Sequence, residues 1–280
     1  MAGTLYIVAT PIGNLDDITL RALRILKEVD LIAAEDTRHT QVLLRHYQIR
    51  TALTSYHEHN ERQKAKALVE QLVRGVNIAL VADAGTPTIA DPGYRIVVEA
   101  AKAGVKTVAV PGACALTAVL SASGLPTDRF IFEGFLPQKQ KQRQARLQAL
   151  RDEARTMVFY EAPHRLKDSL LDMAKILGNR EMVLGREVTK LHEEFVRGRA
   201  HEVIETITQD SIRGEFVIVI AGASSDARVS EDLLGAEIDK LKAGGMRIKE
   251  IAEVLGEKFA VAKRDVYRMA LQTKEPDNEE

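Results

Sequence analysis

One cysteine in 280 residues, Cys114, rules out an intrachain disulfide framework and a multi-cysteine metal site. No run of eighteen apolar residues occurs, so the sequence offers no candidate membrane span. Charges nearly cancel, with 39 Lys and Arg against 40 Asp and Glu. The resulting net charge of −1 supplies no global attraction to nucleic acid, and any such contact must come from local basic patches. No G-x-G-x-x-G or P-loop follows the first strand-like segment, Thr4 to Ala9, which disfavours a nicotinamide dehydrogenase. The chain does not open on a basic-then-apolar signal segment either, so a soluble, cytoplasmic protein is expected.

What is present points to an α/β protein. A hydrophobic content of 45% over this length can fill two α/β units and something smaller. Short apolar strands are expected at Leu5–Ala9, Leu31–Ala34, Asn77–Ala82 and Thr107–Val110. They run into Thr10-Pro11-Ile12-Gly13-Asn14, Glu35-Asp36-Thr37-Arg38, the stretch from Asp83 to Gly93, and Pro111-Gly112-Ala113-Cys114-Ala115. Loops rich in Gly, Pro and small residues at strand ends are where an open parallel sheet meets a ligand. In the longest, VADAGTPTIADPG (81–93), Gly85 lets backbone approach a bound molecule, and Asp83 can accept hydrogen bonds from an amine or a ribose. An ordinary strand-to-helix loop with Asp83 as helix cap is the competing reading. Asp16 or Asp17 can cap the helix that follows the first loop, and Asp36 or Thr37 can likewise simply cap the helix from Arg38 to Tyr47. The His and Glu residues of Ser55–Glu61 lack the spacing of ligands on one helix face, so no metal is expected, and Asn60 reads as the cap of a helix through Val73.

After Gly124-Leu125-Pro126 the pattern changes. Strands at Phe130–Phe135, Met157–Tyr160 and Met182–Gly185, a hairpin return at Glu194–Arg197, and a final strand within Gly214–Ala221 imply a sheet with antiparallel pairing. Between Gln138 and Arg151, Lys139, Lys141, Arg143, Arg146 and Arg151 occur with no acidic residue. Such a one-sign run is a solvated helix face or, beside a cleft, a phosphate-binding surface. Gly222–Ser230 has linker composition, and Pro276–Glu280 an acidic tail's. Between them, Glu231–Thr273 is helical in pattern, and Ile248–Gly256 followed by Lys263–Leu271 reads as a helix-turn-helix pair or as a small packing or dimerisation module. Lys258, Lys263, Arg264 and Arg268 are assigned to a basic face of its second helix. The expected division is 1–124, 125–222 and 231–274.

The loops at 10–13, 83–87 and 111–115, with Phe159-Tyr160-Glu161 and Gly214-Glu215-Phe216, occur in an order that resembles the tetrapyrrole methylase superfamily. Glu35–Arg38, the 81–93 stretch, Phe159–Arg165 and Arg186–Glu193 are similar to its ribosomal RNA small subunit methyltransferase I branch, and the resemblance spans essentially the whole chain. It implies two unlike α/β domains with a cofactor cleft between them. It also implies an S-adenosylmethionine-dependent enzyme that methylates the 2′-hydroxyl of a cytidine ribose in small-subunit (16S) rRNA, free or in the assembled subunit, as a homodimer. Carried over by position, Pro11, Ala82, Asp83, Thr86, Cys114, Ala115, Glu161 and Val188 are expected to line the cofactor site. Two departures stand out: Ala84 and Gly85 follow Asp83 where the wider family often has GlyAspPro, and Glu161 stands where it often has an apolar residue. For the chemistry, Lys190 is the candidate to stabilise a developing alkoxide and Glu161 to accept the proton. Arg38, Lys139, Lys141, Arg143 and Arg146 are the candidates for rRNA phosphates. A tetrapyrrole or protein methylase, or a non-catalytic RNA-binding ribosome-assembly factor, are the alternatives.

Overall fold

Five short parallel strands carry the first half of the chain: β1 (Thr4–Val8), β2 (Leu31–Ala34), β3 (Ala52–Ser55), β4 (Ile78–Val81) and β5 (Lys106–Val110). They are joined by α1 (Leu20–Glu28), α2 (Thr37–His46), α3 (Glu61–Val73) and α4 (Tyr94–Lys102) in the order β3-β2-β4-β1-β5. The computed structural model describes residues 1–207, 213–223, 231–259 and 263–272. The expected linker lies outside them from residue 224 on, and so does the expected acidic tail.

β4 is buried along its length because helices cover both faces of the sheet. Its side chains alternate: Ile78 and Leu80 enter a core with Leu68, Leu72 and Ile96, whereas Ala79 and Val81 enter one with Leu26, Ile32 and Val110. From β2 the chain leads out toward β3 on one side, and from β4 it leads out toward β5 on the other. That divergence opens a crevice at the carboxyl ends of β2 and β4, the usual ligand position in such sheets.

The second sheet comprises β6 (Phe130–Phe135), β7 (Thr156–Glu161), β8 (Glu181–Arg186), β9 (Glu194–Arg199) and β10 (Phe216–Ile220), in the order β6-β7-β10-β8-β9. Only the β6–β7 pair is parallel, as the hairpin-like pattern of this half implied. β10 is the fully buried centre. Its Phe216, Ile218 and Ile220 face a core shared with α6 (Gln140–Ala149), α7 (Pro163–Leu177) and α8 (Ala200–Thr206). Val217 and Val219 face the other way, onto Val119 and Leu120 of α5 (Ala115–Ser123). Thus α5 continues the βα alternation of the first half yet covers the second sheet. Gly185 on β8 permits that approach, since a Cβ there would come within 2.7 Å of Val119.

At the C-terminus α9 (Glu231–Ala243), α10 (Ile248–Phe259) and α11 (Lys263–Gln272) bury a core of their own around Leu234, Ile238, Ile251, Leu255 and Val266. Lys258 does not belong to the basic face expected on the last helix. It lies in the last turn of α10 and pairs with Glu237 of α9 at 2.8 Å.

Three local expectations change. β3 is not expected from Ala52-Leu53-Thr54-Ser55, which has little apolar signal of its own; it forms by pairing with β2. Helix α1 is capped by Thr19, which accepts the Ala22 amide at 3.0 Å, and not by Asp16 or Asp17. Asn60 precedes α3, but its side chain accepts the His57 amide at 3.0 Å and leaves the helix amides alone.

Candidate cofactor cleft

The loops after β1 and β4 are clasped by two backbone hydrogen bonds, Thr10 N–H to Gly85 O at 2.9 Å and Gly85 N–H to Thr10 O at 3.0 Å. Gly85 adopts φ +79° there, a conformation that favours glycine. Thr86 then donates its hydroxyl to Ala113 O at 3.1 Å, tying in the loop after β5. Asp83 reaches across the crevice and accepts the Asp36 amide at 2.9 Å, tying in the loop after β2. Four strand-end loops are thereby held as one floor.

The opposite wall comes from the second half. Tyr160 of β7 accepts the Leu116 amide of α5 at 3.0 Å and stacks edge-on against Phe132 and Phe135. Glu187 and Thr189, after β8, and Thr88 and Ala90, after β4, are non-glycine residues in the left-handed region, with φ of +48°, +71°, +74° and +65°. Such backbone costs about 1–3 kcal/mol per residue and concentrates at functional sites.

Between floor and wall lies a cavity of about 380 Å³, within the roughly 300–1,000 Å³ typical of small-molecule sites. Apolar groups such as Ile12, Ile89, Ala115 and Val188 line it together with Glu35, Asp83, Asp91, Glu161 and Glu215. Among the described residues that line it there is no Lys, Arg or His. The chemistry of that lining suits a ligand that is partly apolar and positively charged.

Mutual repulsion and burial set the charge state of this lining. Burial, and then the neighbouring Asp83, raise the Glu35 pKa. Burial, and then Glu35, Asp83 and Glu215, push Asp91 up to about 7. Tyr160 is pushed above the ordinary phenol range, mainly by burial.

Asp83, Thr86, Cys114, Ala115, Glu161 and Val188 all line the cavity. Pro11 and Ala82 stand just behind it: Pro11 precedes the lining Ile12, and Ala82 is buried with its carbonyl accepting the Thr10 hydroxyl at 3.3 Å. Glu161 cannot take up a hydroxyl proton as the sequence suggested. It is 2% exposed, and one carboxylate oxygen binds Arg165 at 2.7 Å and the Ala162 amide at 2.8 Å while the other accepts the Ser169 hydroxyl at 2.5 Å. Both oxygens are committed to holding the start of α7 against the cleft wall. Lys190 lies at the rim, its ammonium shared by Glu187 at 2.8 Å and the cavity-lining Glu215 at 3.2 Å. Burial opposes its charge, but the Glu187 hydrogen bond and Glu215 outweigh burial, and its pKa stands above the usual lysine value. The Lys190 side chain covers Gly13 so closely that a Cβ at residue 13 would overlap it.

The basic candidates divide. Arg143 is buried, bonded to Asp172 of α7 at 2.7 Å and to Gln138 O at 3.3 Å, so it packs α6 against α7 and cannot meet phosphate. Arg146 is surface-exposed and bidentate on Glu133, and Arg38 is exposed and bidentate on Asp36. Lys139 and Lys141 are exposed, with no ion pair among the described residues. Asp91, Glu215 and Tyr160 are not singled out by the sequence as site residues, although each lies inside one of its motifs. Their convergence depends on sheet order, which no local pattern carries.

Fold and site define an α/β protein with two unlike sheets and a small-molecule cleft between them, acidic and, among the described residues, without a basic side chain in its lining. The chain belongs to the Tetrapyrrole (Corrin/Porphyrin) Methylases, whose family model matches residues 4–204. A protein of Pseudomonas aeruginosa named ribosomal RNA small subunit methyltransferase I is 49% identical over 278 residues, 97% of this chain and 98% of its own length. One of the same name in Halalkalibacterium halodurans is 47% identical over 272 residues, 95% of this chain and 94% of its own. Among solved structures, a diphthine synthase covers 78% of this chain and 90% of its own, with TM-score 0.60 and 17% identity. A cobalt precorrin-4 methyltransferase covers 78% and 94%, with TM-score 0.59 and 18% identity. At those identities the two structures speak for the fold alone.

Proposed function

We propose that this protein is an S-adenosylmethionine-dependent methyltransferase that modifies small-subunit (16S) rRNA at the 2′-hydroxyl of a cytidine ribose. The observation that carries the reading is the cleft lining, acidic and apolar and without a basic side chain among the described residues, in a chain nearly half identical to the rRNA methyltransferases over almost its full length. When bound, the cofactor would supply a methyl group on a positively charged sulfur. Asp83, Thr86, Cys114, Ala115 and Val188 would hold it, with Pro11 and Ala82 fixing the loops behind them. The clasped floor loops would orient it, and fixed positioning contributes much of the rate of such a transfer. Lys190 is assigned to the acceptor side, as the cation that offsets charge on the acceptor oxygen, held there by Glu187 and Glu215.

The exposed Lys139 and Lys141, with Arg38 and Arg146, are assigned to rRNA phosphates. A homodimer, a cytoplasmic location and the three-part division at 124/125 and 222/231 belong to the same reading. Among the described residues no helix is long and apolar enough to cross a membrane.

Incubation with labelled S-adenosylmethionine and three acceptors tests the function: small ribosomal subunits lacking the modification, naked rRNA, and a tetrapyrrole. Label in the subunit or its rRNA, recovered after nuclease digestion as a ribose-methylated cytidine, is the expected result. Label in the tetrapyrrole alone, or no cofactor binding by calorimetry, would overturn it.

A further inference from the structure

We infer that Asp91 is the general base that takes the proton from the acceptor hydroxyl. The inference rests on the methyltransferase reading above and assigns the role that Glu161 cannot fill. Among the described residues five carboxylates line the cleft, and three of them have hydrogen-bonded or ion-paired donors: Glu161 binds Arg165, Ser169 and an amide; Glu215 binds Lys190; Asp83 accepts the Asp36 amide. For a fourth, Glu35, the Asp83 backbone works against the upward push of burial on its pKa. Asp91 has no hydrogen-bond or ion-pair partner among the described residues, and it is only partly buried. A carboxylate with free lone pairs, open to the cavity, is what a general base requires.

Its position is also held. Ala90 immediately before it has φ +65°, and Gly93 two residues on has φ +141°, where a Cβ would crowd Leu80 and Thr88. Ala90 therefore holds a conformation that the surrounding packing must enforce, and Gly93 one that glycine adopts freely and a larger residue would not fit. The charged and titratable groups facing it are Glu35 after β2, Asp83 after β4, Glu215 before β10 and Tyr160 on β7. No cation faces it from these elements, so it competes well for a proton, with a pKa of about 7 that matches the pH at which a base is most effective.

In the step, the hydroxyl proton passes to a carboxylate oxygen of Asp91 as an oxygen lone pair forms the new O–C bond. The electron pair of the breaking S–C bond stays on sulfur and cancels its positive charge. Asp91 then returns the proton to solvent.

The test is Asp91→Asn in the full-length protein, with three measurements: single-turnover methyl transfer to small subunits, cofactor affinity by calorimetry, and a carboxyl NMR titration of the ligand-free wild-type protein. Transfer should fall by about 10²–10⁴-fold with cofactor affinity retained. In the wild type the second-order rate constant, measured with cofactor and subunits below saturation, should rise with pH and level off near the pKa at which the Asp91 carboxyl itself titrates. Transfer reduced by less than about tenfold overturns the assignment. So does weakened cofactor affinity with transfer intact at saturating cofactor, which would make Asp91 a binding residue only. If the variant does not fold, the wild-type profile decides: a flat profile, or an Asp91 titration near an ordinary carboxylate value, refutes the role. Failure of the wild-type protein to label any subunit or rRNA would instead overturn the methyltransferase reading itself.

Discussion

Removing Asp172 should destabilise the second half of the protein far more than removing any exposed charge of the same helix pair. Asp172 accepts Arg143 at 2.7 Å and Gln144 at 2.8 Å, and the side chains of the Arg–Asp pair are only 5% and 7% exposed. Asp172→Ala leaves a guanidinium buried with one carbonyl, Gln138 O, as its remaining partner. Breaking a buried pair from one side costs about 3–5 kcal/mol, whereas replacing both partners by apolar groups of similar volume is often neutral. At roughly 2 °C per kcal/mol for a chain of this size, the single variant should melt about 6–10 °C lower. The double variant Arg143→Met, Asp172→Leu should recover most of that deficit. Scanning calorimetry on the three proteins measures it, and rRNA binding at several salt concentrations accompanies each. A cost under about 1 kcal/mol for Asp172→Ala would refute the buried pair, since that is the range of an exposed one. A double variant that folds normally yet binds RNA with a salt slope shallower by about 0.7–0.9 would refute it equally, because Arg143 would then have been holding a phosphate on the solvent side.

Charge reversal at the exposed Lys139 and Lys141 should leave stability unchanged and lower the slope of log affinity against log salt by about 0.7–0.9 for each phosphate no longer neutralised; an unchanged slope removes them from the RNA surface. Gly13→Ala should slow methyl transfer by displacing Lys190, and a double-mutant cycle with Lys190→Ala should give a coupling of about 0.5–3 kcal/mol, against additivity if the two loops act independently. Asp91→Asn should also change stability with pH. Because the folded pKa of Asp91 is raised, the folded protein binds the extra proton between the ordinary Asp value and about 7, and stability falls as pH rises through that window. The variant should therefore melt higher than wild type at pH 8, with the difference fading as pH falls toward 4; equal melting curves at pH 8 would show that Asp91 is not held at a disadvantage.

Much of the first sheet is legible in the sequence because its signals are local. An apolar run such as Ile78–Val81, broken by a Gly- and Pro-containing loop, suffices to place a buried strand and a ligand-facing turn. β3 is not, because its pairing with β2 supplies what its own sequence lacks. Counting charges along the chain misreads Arg143. It shares the inward stripe of α6 with Leu147 and with Leu150 just past the helix end, at i, i+4 and i+7, so helical periodicity turns it inward. Glu161 carries the same kind of signal, with Arg165 and Ser169 four and eight residues on. Asp91 offers no such clue, since the groups that perturb it arrive from β2, β4 and the approach to β10.

The placement of α5 bears on the order in which the protein can be made. Its apolar residues Val119 and Leu120 leave the ribosome early, attached to the first sheet, but the surface they cover includes Val217 and Val219 of β10. β10 is also the strand that joins β7 to β8, so the second sheet stays in two pieces until the last of its strands has been synthesised. A nascent chain stalled before Phe216 would carry a complete first sheet and an α5 that lacks the central strand of the surface it covers, a species prone to association. The cleft wall that leans on Tyr160 and α5 is accordingly among the last features to close, and no catalytically competent half-protein should exist on the way.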